Sequence, residues 1–112
     1  MADKRSEILQ GTLDLMILQS LRTLGPLHGW GIARRIEQVS DDALFLNQGT
    51  IYPALVRLEL QGFIESEWGV SENNRKAKFF RITKAGRRQL AKEADNWRRI
   101  AGIMGRLLEE PE

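Results

Sequence analysis

A helix-like stretch followed by a hairpin-like stretch occupies residues 47–83 and limits the folds open to this chain. Its first part reads as a helix with one polar face, and Gly62 ends that helix. The aromatic and β-branched runs 63–68 and 78–83 predict two strands around a polar loop, 69–77. A helix followed by a hairpin with a basic tip is typical of a winged helix-turn-helix. In that fold the helix enters the major groove of DNA and the hairpin lies along the backbone.

Two more helices are predicted before this segment. Residues 10–24 are apolar on more than one side, so that helix needs neighbours on several sides, and Gly25 and Pro26 end it. Residues 29–39 place apolar side chains at helical spacing and charged side chains between them. The order helix, helix, helix, hairpin agrees with a winged helix.

The start of the third helix has two interpretations. Asn47 is a good N-cap, but Pro53 would then lie past the first turn and disturb it. If Thr50 is the N-cap, Pro53 falls where its missing N–H has no cost. The residues alone do not decide between them.

The final helix is predicted from about Lys84 to Glu109, with Thr83 as its cap. Its apolar residues alternate in steps of four and three, as in a heptad seam: Leu90, Ala94, Trp97, Ala101, Met104 and Leu108. Such a helix is roughly 40 Å long, so the rest of the chain cannot cover it and a monomer would expose an apolar stripe. We expect a C2 homodimer made by this helix and the first one, with Leu13 and Ile17 as further contacts.

Length and composition set the class of protein. The 112 residues predict a single compact unit with a modest core, and no apolar run is long enough to span a membrane. Cysteine is absent, which excludes disulfides, thiol catalysis and cysteine-ligated metals. The first seven residues lack the apolar stretch of a signal peptide, so we expect a cytoplasmic protein. The predicted fold class is α+β, mainly α: a winged helix-turn-helix (1–83) with a long C-terminal dimerisation helix (84–112).

The basic residues are concentrated in one part of the chain. The net charge is only +2, and the first 72 residues lean acidic. Between residues 73 and 92 no acid interrupts the basic residues Arg75, Lys76, Lys78, Arg81, Lys84, Arg87, Arg88 and Lys92. A localised basic stretch predicts a polyanion-binding surface, although a solvated helix face and hairpin edge would carry the same charges.

Four segments resemble the PadR family of bacterial transcriptional regulators. They are residues 9–15 (LQGTLDL), 25–32 (GPLHGWGI), 49–59 (GTIYPALVRLE) and 81–86 (RITKAG). The resemblance covers residues 9–108, and the single C-terminal helix resembles the compact subfamily. Trp30 stands where the family often has tyrosine, which keeps an aromatic ring and loses a hydroxyl.

The resemblance implies a homodimeric repressor with a recognition helix that begins near Gln48 and a wing at 69–77. In the multidrug-sensing members, a tryptophan of the last helix lines a cleft at the dimer centre and stacks on flat aromatic ligands. Trp97 falls at the matching place. Two interpretations of Trp97 stay open, a ligand platform and a core residue of the dimer seam.

Candidate DNA contacts fall into two groups. The first group lies at the N-terminal end of the recognition helix, which we call the reading helix, where side chains reach base edges and phosphates. It consists of Gln48, Gly49, Thr50, Tyr52 and Pro53. The alternatives are solvation for Gln48, capping for Thr50, core packing for Tyr52 and a purely structural role for Pro53. The wing offers Asn74, Arg75, Lys76 and Lys78, with turn formation as the alternative for Asn74. Arg57, further along the helix, either binds phosphate or pairs with Glu59 or another acid.

The sequence does not favour an enzyme. His28 is the only histidine, and no nucleophile–base pair or metal-ligand cluster surrounds it, so it predicts a cap or a packed polar group. Asp41 and Asp42 are adjacent on a turn and point apart. We therefore expect no catalysis, no metal and no cofactor.

The function predicted from these features is a DNA-binding transcriptional regulator. We expect a homodimeric repressor that binds a palindromic operator in double-stranded DNA, with a flat aromatic small molecule as a candidate inducer. The alternative is a winged-helix protein-interaction module, in which the basic stretch meets an acidic partner without DNA binding or ligand sensing.

Overall fold

The computed structural model describes residues 10–109, which form four helices and a small antiparallel sheet. In chain order the elements are α1 (Gln10–Leu24), β1 (Leu27–His28), α2 (Gly29–Val39), α3 (Gln48–Leu60), β2 (Ile64–Val70), β3 (Lys76–Ile82) and α4 (Lys84–Leu108). The strand order is β1-β3-β2. This mainly helical winged helix with a long last helix confirms the predicted fold class. The expectations for residues 1–9 and 110–112, namely the missing signal peptide, Leu9 of the first PadR-like segment and the outer ends of the two predicted domains, lie outside the described residues.

α1 is the central helix of the core. It spans the predicted 10–24, and Gly25 ends it at a φ of 81°. Four of its apolar side chains are buried: Leu13, Ile17, Leu18 and Leu21. They pack with apolar residues of α2, α3, the sheet and the start of α4, so the wide apolar surface of α1 is used inside one chain.

α2 begins at a histidine cap that is also part of the sheet. The Gly31 N–H donates to Nδ1 of His28 at 3.0 Å, which confirms the predicted capping role. β1 was missing from the sequence-based prediction. Its two residues pair with β3, Leu27 opposite Phe80 and His28 opposite Phe79. A strand this short is defined by its partner and has no local pattern of its own.

Asn47 is the N-cap of α3, which resolves the ambiguity at the start of that helix. The Asn47 side chain accepts from the Thr50 N–H at 2.9 Å, and the helix continues through Pro53. Gly62, at a φ of 79°, ends it in a Schellman motif, in which the Phe63 N–H donates to the carbonyl of Leu58.

The hairpin strands are longer than the sequence predicted, and the loop between them is shorter. β2 and β3 pair from Ile64 opposite Ile82 to Val70 opposite Lys76. The turn is therefore residues 71–75 and not 69–77, because Gly69 and Val70 still pair with Ala77 and Lys76 near the tip. We call β2, the 71–75 turn and β3 the wing.

α4 is fixed at its first turn and projects beyond it. The Thr83 hydroxyl accepts from the Gly86 N–H and donates to the Gly62 carbonyl, at 3.0 and 2.7 Å. Only Gly86 and Leu90 of this 25-residue helix are buried. The radius of gyration, 15.5 Å, exceeds the roughly 13 Å of a compact chain of this size.

Candidate nucleic-acid interface

An open cleft of about 520 Å³ separates the starts of α2 and α3 from the wing. The helices contribute His28, Gly29, Trp30, Gln48 and Tyr52, and the wing contributes Trp68, Ser71, Glu72, Asn73, Arg75, Lys76, Ala77, Lys78 and Phe80. The polar end of the reading helix and the basic wing, separated in sequence, thus border the same space. We call it the reading cleft.

Two predicted contacts on α3 line the reading cleft directly. Tyr52 is 48% exposed, so it is not a core residue, and Gln48 is exposed beside it. Gly29 at the start of α2 lies against Gln48, since a Cβ on this glycine would meet Oε1 of Gln48 at 2.7 Å. This close approach fixes one side of the glutamine at the helix end.

The other predicted residues at the start of α3 lie beside the cleft. Gly49 and Pro53 are exposed but do not line it. Thr50 is half-buried, and its hydroxyl lies 3.2 Å from Oδ1 of Asn47. The hydroxyl of Thr50 is therefore bound within the capping structure, where Asn47 and not Thr50 is the N-cap.

The wing tip presents two exposed basic side chains, Arg75 and Lys76, to the cleft. The Ser71 N–H donates to the Arg75 carbonyl, and the Asn74 N–H donates to the Ser71 carbonyl, each at 2.8 Å. Asn74 adopts a left-handed φ of 58° and does not line the cleft. In this geometry Asn74 forms the turn that positions its basic neighbours.

Lys78 differs from these two because it is anchored inside the cleft. Its Nζ lies 3.8 Å from Oε1 of Glu59 and 5.9 Å from the centroid of the Phe80 ring. Glu59 also accepts a hydrogen bond from the hydroxyl of Ser66. Lys78 is therefore already paired with Glu59 before a polyanion enters the cleft.

Arg57 points away from the reading cleft, which corrects its assignment as a DNA contact. Its Nη2 pairs with Oδ1 of Asp14 on α1, and both side chains are largely covered, at 29% and 21% exposure. Its Nε is buried and has no hydrogen-bond partner among residues 10–109. The alternative interpretation, pairing with an acid, is the one that the structure supports.

Sequence reasoning missed two aromatic residues of the cleft, Trp30 and Trp68. Both line the cleft and are well exposed, at 64% and 61%. The period-two alternation of the hairpin was available as a signal for Trp68, because it lies on the same strand face as the buried Ile64. For Trp30 the only available signal was a tryptophan where the PadR family often has tyrosine.

A second cavity, of about 480 Å³, is bordered by α1, α2 and α4. It is bordered by Thr12, Leu15, Met16, Gln19, Ser20, Thr23, Arg35, Ile36, Val39, Ser40, Leu44 and Trp97. Trp97 of α4 is 52% exposed at its edge. The α1, α2 and α4 side chains form this space within one chain, and we call it the α1–α4 cavity.

The predicted dimer contacts divide into two groups. Leu13, Ile17 and Leu90 are at most 5% exposed and pack in the core of the chain, so their assignment to a dimer interface is corrected. A buried side chain has no surface left for a second chain. Ala94 and Ala101 are half-buried, and Trp97, Met104 and Leu108 are exposed. Ile100, Ile103 and Leu107 are exposed beside them on α4.

Residues 10–109 do not support a metal site or a membrane-spanning helix. Within that part of the chain, no three His, Asp or Glu residues come together as metal ligands. Its helices also include none with the length and apolar character that crossing a bilayer requires. His28, besides capping α2, packs edge-on against Phe79 with ring centroids 5.3 Å apart.

Comparison with known proteins places the chain among regulators of transcription. Residues 17–92 match the family model described as the transcriptional regulator PadR-like family. A transcriptional regulator from Clostridium thermocellum is 26% identical with a TM-score of 0.80, covering 89% of this chain and 96% of that one. A PadR family regulator from Eggerthella lenta is 30% identical with a TM-score of 0.75, covering 91% and 86%. A PadR-like regulator from Bacillus cereus is 25% identical with a TM-score of 0.79, covering 92% and 97%.

Proposed function

The chain belongs to the PadR-like family of transcriptional regulators, which are not enzymes, and we propose that it is a homodimeric repressor of a palindromic operator. One observation carries this proposal. The reading cleft brings Gln48 and Tyr52 of α3 next to Arg75 and Lys76 of the wing. A polar helix end beside a cationic hairpin suits duplex DNA, whose base edges lie in the groove between two phosphate backbones.

The residues of the reading cleft have different roles in DNA binding, and each role follows from the chemistry of the side chain. Gln48 has an amide that can bond both N6 and N7 of adenine, so it is our candidate for direct base contact. Tyr52 supplies a hydroxyl at the same helix end. Arg75 and Lys76 bind phosphates, which sets the position of the chain on DNA without selecting a sequence.

The exposed face of α4 supports a homodimer. Between Trp97 and Leu108 it carries six exposed large apolar residues on a helix that projects from the core: Trp97, Ile100, Ile103, Met104, Leu107 and Leu108. A second α4 would cover this face about a two-fold axis. Two reading helices related in this way meet half-sites about one helical turn apart, roughly 34–36 Å.

The α1–α4 cavity supports ligand sensing at Trp97. The surface that its lining residues present to the cavity is mostly apolar, and its volume of about 480 Å³ lies in the range of small-molecule sites, roughly 300–1,000 Å³. An exposed indole at the edge of such a space can stack on a flat aromatic molecule. We propose that such a ligand releases DNA by changing how the two α4 helices pack.

The chain is one unit with two parts, a DNA-binding part and a dimerisation helix. In this proposal residues 1–83 bind DNA and residues 84–112 dimerise. The contacts among Gly62, Thr83 and Gly86 join them without a flexible linker. A change in α4 packing is therefore carried to the wing and to α3.

Binding to the DNA upstream of its own gene, measured by fluorescence anisotropy, tests the proposal. If the dimer neutralises about six to eight phosphates, log Kd changes with log salt at a slope of roughly 5 to 7. Arg75→Ala or Lys76→Ala removes two phosphate contacts per dimer, so each should lower the slope by about 2 and weaken binding to all sequences.

Lys92→Ala is the matched control, because Lys92 is an exposed cation on α4 outside the reading cleft. It should leave the slope close to that of the wild type. If the wild-type chain does not bind the DNA at low salt, the proposed function is wrong.

A further inference from the structure

Two of the three tryptophans of the chain are exposed on opposite sides of the reading cleft. Trp30 borders it from the first turn of α2 and Trp68 from β2 of the wing. Indole is a large apolar surface with a single polar group, and leaving it in water is unfavourable. Two such rings at one charged cleft therefore indicate a surface that something covers.

The pleat of the wing explains why Trp68 faces the cleft. Side chains alternate across a strand, so Ile64, Ser66, Trp68 and Val70 of β2 share one face. At the base of the hairpin this face is the core face, since Ile64 and its partner Ile82 are buried. The same face continues past the core toward the tip, where it borders the cleft.

Lys76 lies on that same face and is held by Trp68. Its Nζ is 5.4 Å from the centroid of the indole ring, a distance typical of a cation–π contact. Lys78, directly opposite Trp68 in the hairpin, is held by Glu59 instead. The indole therefore orients the exposed ammonium group of Lys76 at the cleft.

Trp30 is placed by the structures that start α2. The residue follows Gly29, which lies against Gln48, and it precedes Gly31, whose N–H is bound by the His28 cap. The backbone at Trp30 is therefore fixed, although its side chain is exposed. Its polar group, the indole N–H, is only a donor and so suits an anionic acceptor.

We propose that Trp30 and Trp68 hold the sugar–phosphate backbone of one operator strand between them. Each indole covers the apolar face of a deoxyribose, its N–H is available to a phosphate oxygen, and Lys76, oriented by Trp68, neutralises a phosphate. The proposal rests on the proposed function, because it assigns residues to the same DNA-binding cleft. It adds two contacts that no charge pattern would identify.

The position of the cleft selects duplex DNA over single strands. Aromatic rings combined with cations also suit unpaired bases, which stack on such rings. Here, however, the cleft is continuous with Gln48 and Tyr52 at the end of the reading helix. That helix end is placed for a major groove, and the backbone that borders the groove then lies in the cleft.

The test compares Trp30→Ala and Trp68→Ala with the wild-type chain on operator duplex and on unrelated duplex. Each variant should weaken binding to both duplexes about five- to twentyfold, since ring contacts with the backbone do not depend on sequence. Trp30→Ala should leave the slope of log Kd against log salt unchanged, because it removes no charge. Trp30→Phe and Trp68→Phe, which keep a ring, should lose less.

A double-mutant cycle separates the two tryptophans. The effects of Trp68→Ala and Lys76→Ala should be less than additive, because each removes part of one contact unit, whereas Trp30→Ala and Lys76→Ala should add. Leu60→Ala is the control, since Leu60 is 84% exposed at the other end of α3, outside the cleft. It should bind like the wild type.

Wild-type affinity in both alanine variants, with the parent chain binding its duplex, would overturn this inference and leave the proposed function intact. Tighter binding of a single-stranded oligonucleotide than of duplex would also overturn it. If the parent chain does not bind duplex at all, both proposals fail together. Thermal unfolding checks that the variants fold, which their exposed positions predict.

Discussion

Arg57 illustrates how a single side chain can change its role with its neighbours. An arginine on a recognition helix can bind a DNA phosphate, but Arg57 contacts α1 instead and pairs with Asp14. The pair is largely covered by protein, so each charge depends on the other for the solvation that it loses. Arg57 therefore ties α3 to α1, and the unpartnered Nε makes the tie depend on that single contact within residues 10–109.

Removing either partner of this pair should destabilise the fold. We expect Arg57→Ala and Asp14→Ala each to lower the free energy of unfolding by about 1–3 kcal/mol, as measured by urea denaturation. The matched control is Arg81→Ala, which breaks the more exposed Arg81–Glu65 pair and should cost no more than about 1 kcal/mol. A lower salt slope for DNA binding in Arg57→Ala would contradict the assignment of Arg57 to the core.

At the scale of elements, the junction between α4 and the turn after α3 fixes how the arm leaves the domain. Gly86 packs so closely on Phe63 that a Cβ would lie 2.0 Å from the Phe63 carbonyl oxygen. The Thr83 N–H donates to that same carbonyl at 3.0 Å. Glycine is needed at this position because the backbone of the turn occupies the space of a side chain.

Gly86→Ala should therefore force α4 away from the turn. We expect a loss of about 1–3 kcal/mol in the free energy of unfolding, from the overpacking of a closed contact. Gly102→Ala on the same helix meets nothing closer than 3.9 Å and should instead stabilise the chain by about 0.5–1 kcal/mol through helix propensity. Equal effects of the two substitutions in thermal and urea unfolding would refute the proposed packing role of Gly86.

At the scale of the whole molecule, α4 projects from the core and leaves an apolar face exposed to solvent. Its extents are 57 × 35 × 21 Å, and the outer half of α4 carries exposed apolar residues. In a dimer, that half would set the distance between two reading clefts. The α1–α4 cavity adjoins the same helix at Trp97, so a molecule bound there would act on that distance.

A charge placed on the apolar face of α4 should dissociate the proposed dimer. Leu107 is 60% exposed on this face, and Leu107→Lys should give a monomer in sedimentation velocity. Its operator affinity should fall at least about 100-fold, since two linked half-sites bind far more tightly than one. Leu60→Lys, the same change on α3, should stay dimeric. A dimeric Leu107→Lys chain would place the interface elsewhere.

Ligand sensing can be tested without DNA. Acridine, a flat aromatic probe, should quench the tryptophan fluorescence of the chain by stacking on Trp97. Trp97→Ala should abolish this quenching, while Trp97→Tyr, which keeps an aromatic face, should still bind acridine by calorimetry. Full quenching in Trp97→Ala would assign the probe to another site, since Trp30 and Trp68 remain in that variant.

Much of the fold could be predicted because it depends on neighbouring residues. The helices α1, α2 and α4, the glycine that ends α3 and the caps at His28 and Thr83 rest on local hydrogen bonds and local apolar spacing. The order of these elements was enough to predict the winged helix. β1 was missed, and the strands of the wing were predicted too short, because backbone pairing extends beyond the aromatic and β-branched runs 63–68 and 78–83.

The amino-acid sequence by itself determined the four helices, the two strands of the wing, the order of these elements and the basic character of the wing. Only the tertiary structure decided which side chains share a space: Arg57 with Asp14, 43 positions away, and Trp30 with Trp68 across the reading cleft. It also decided that Leu13, Ile17 and Leu90 pack inward. The physical reason is that helical spacing gives the direction of a side chain on its own helix, whereas burial depends on which other element covers that face.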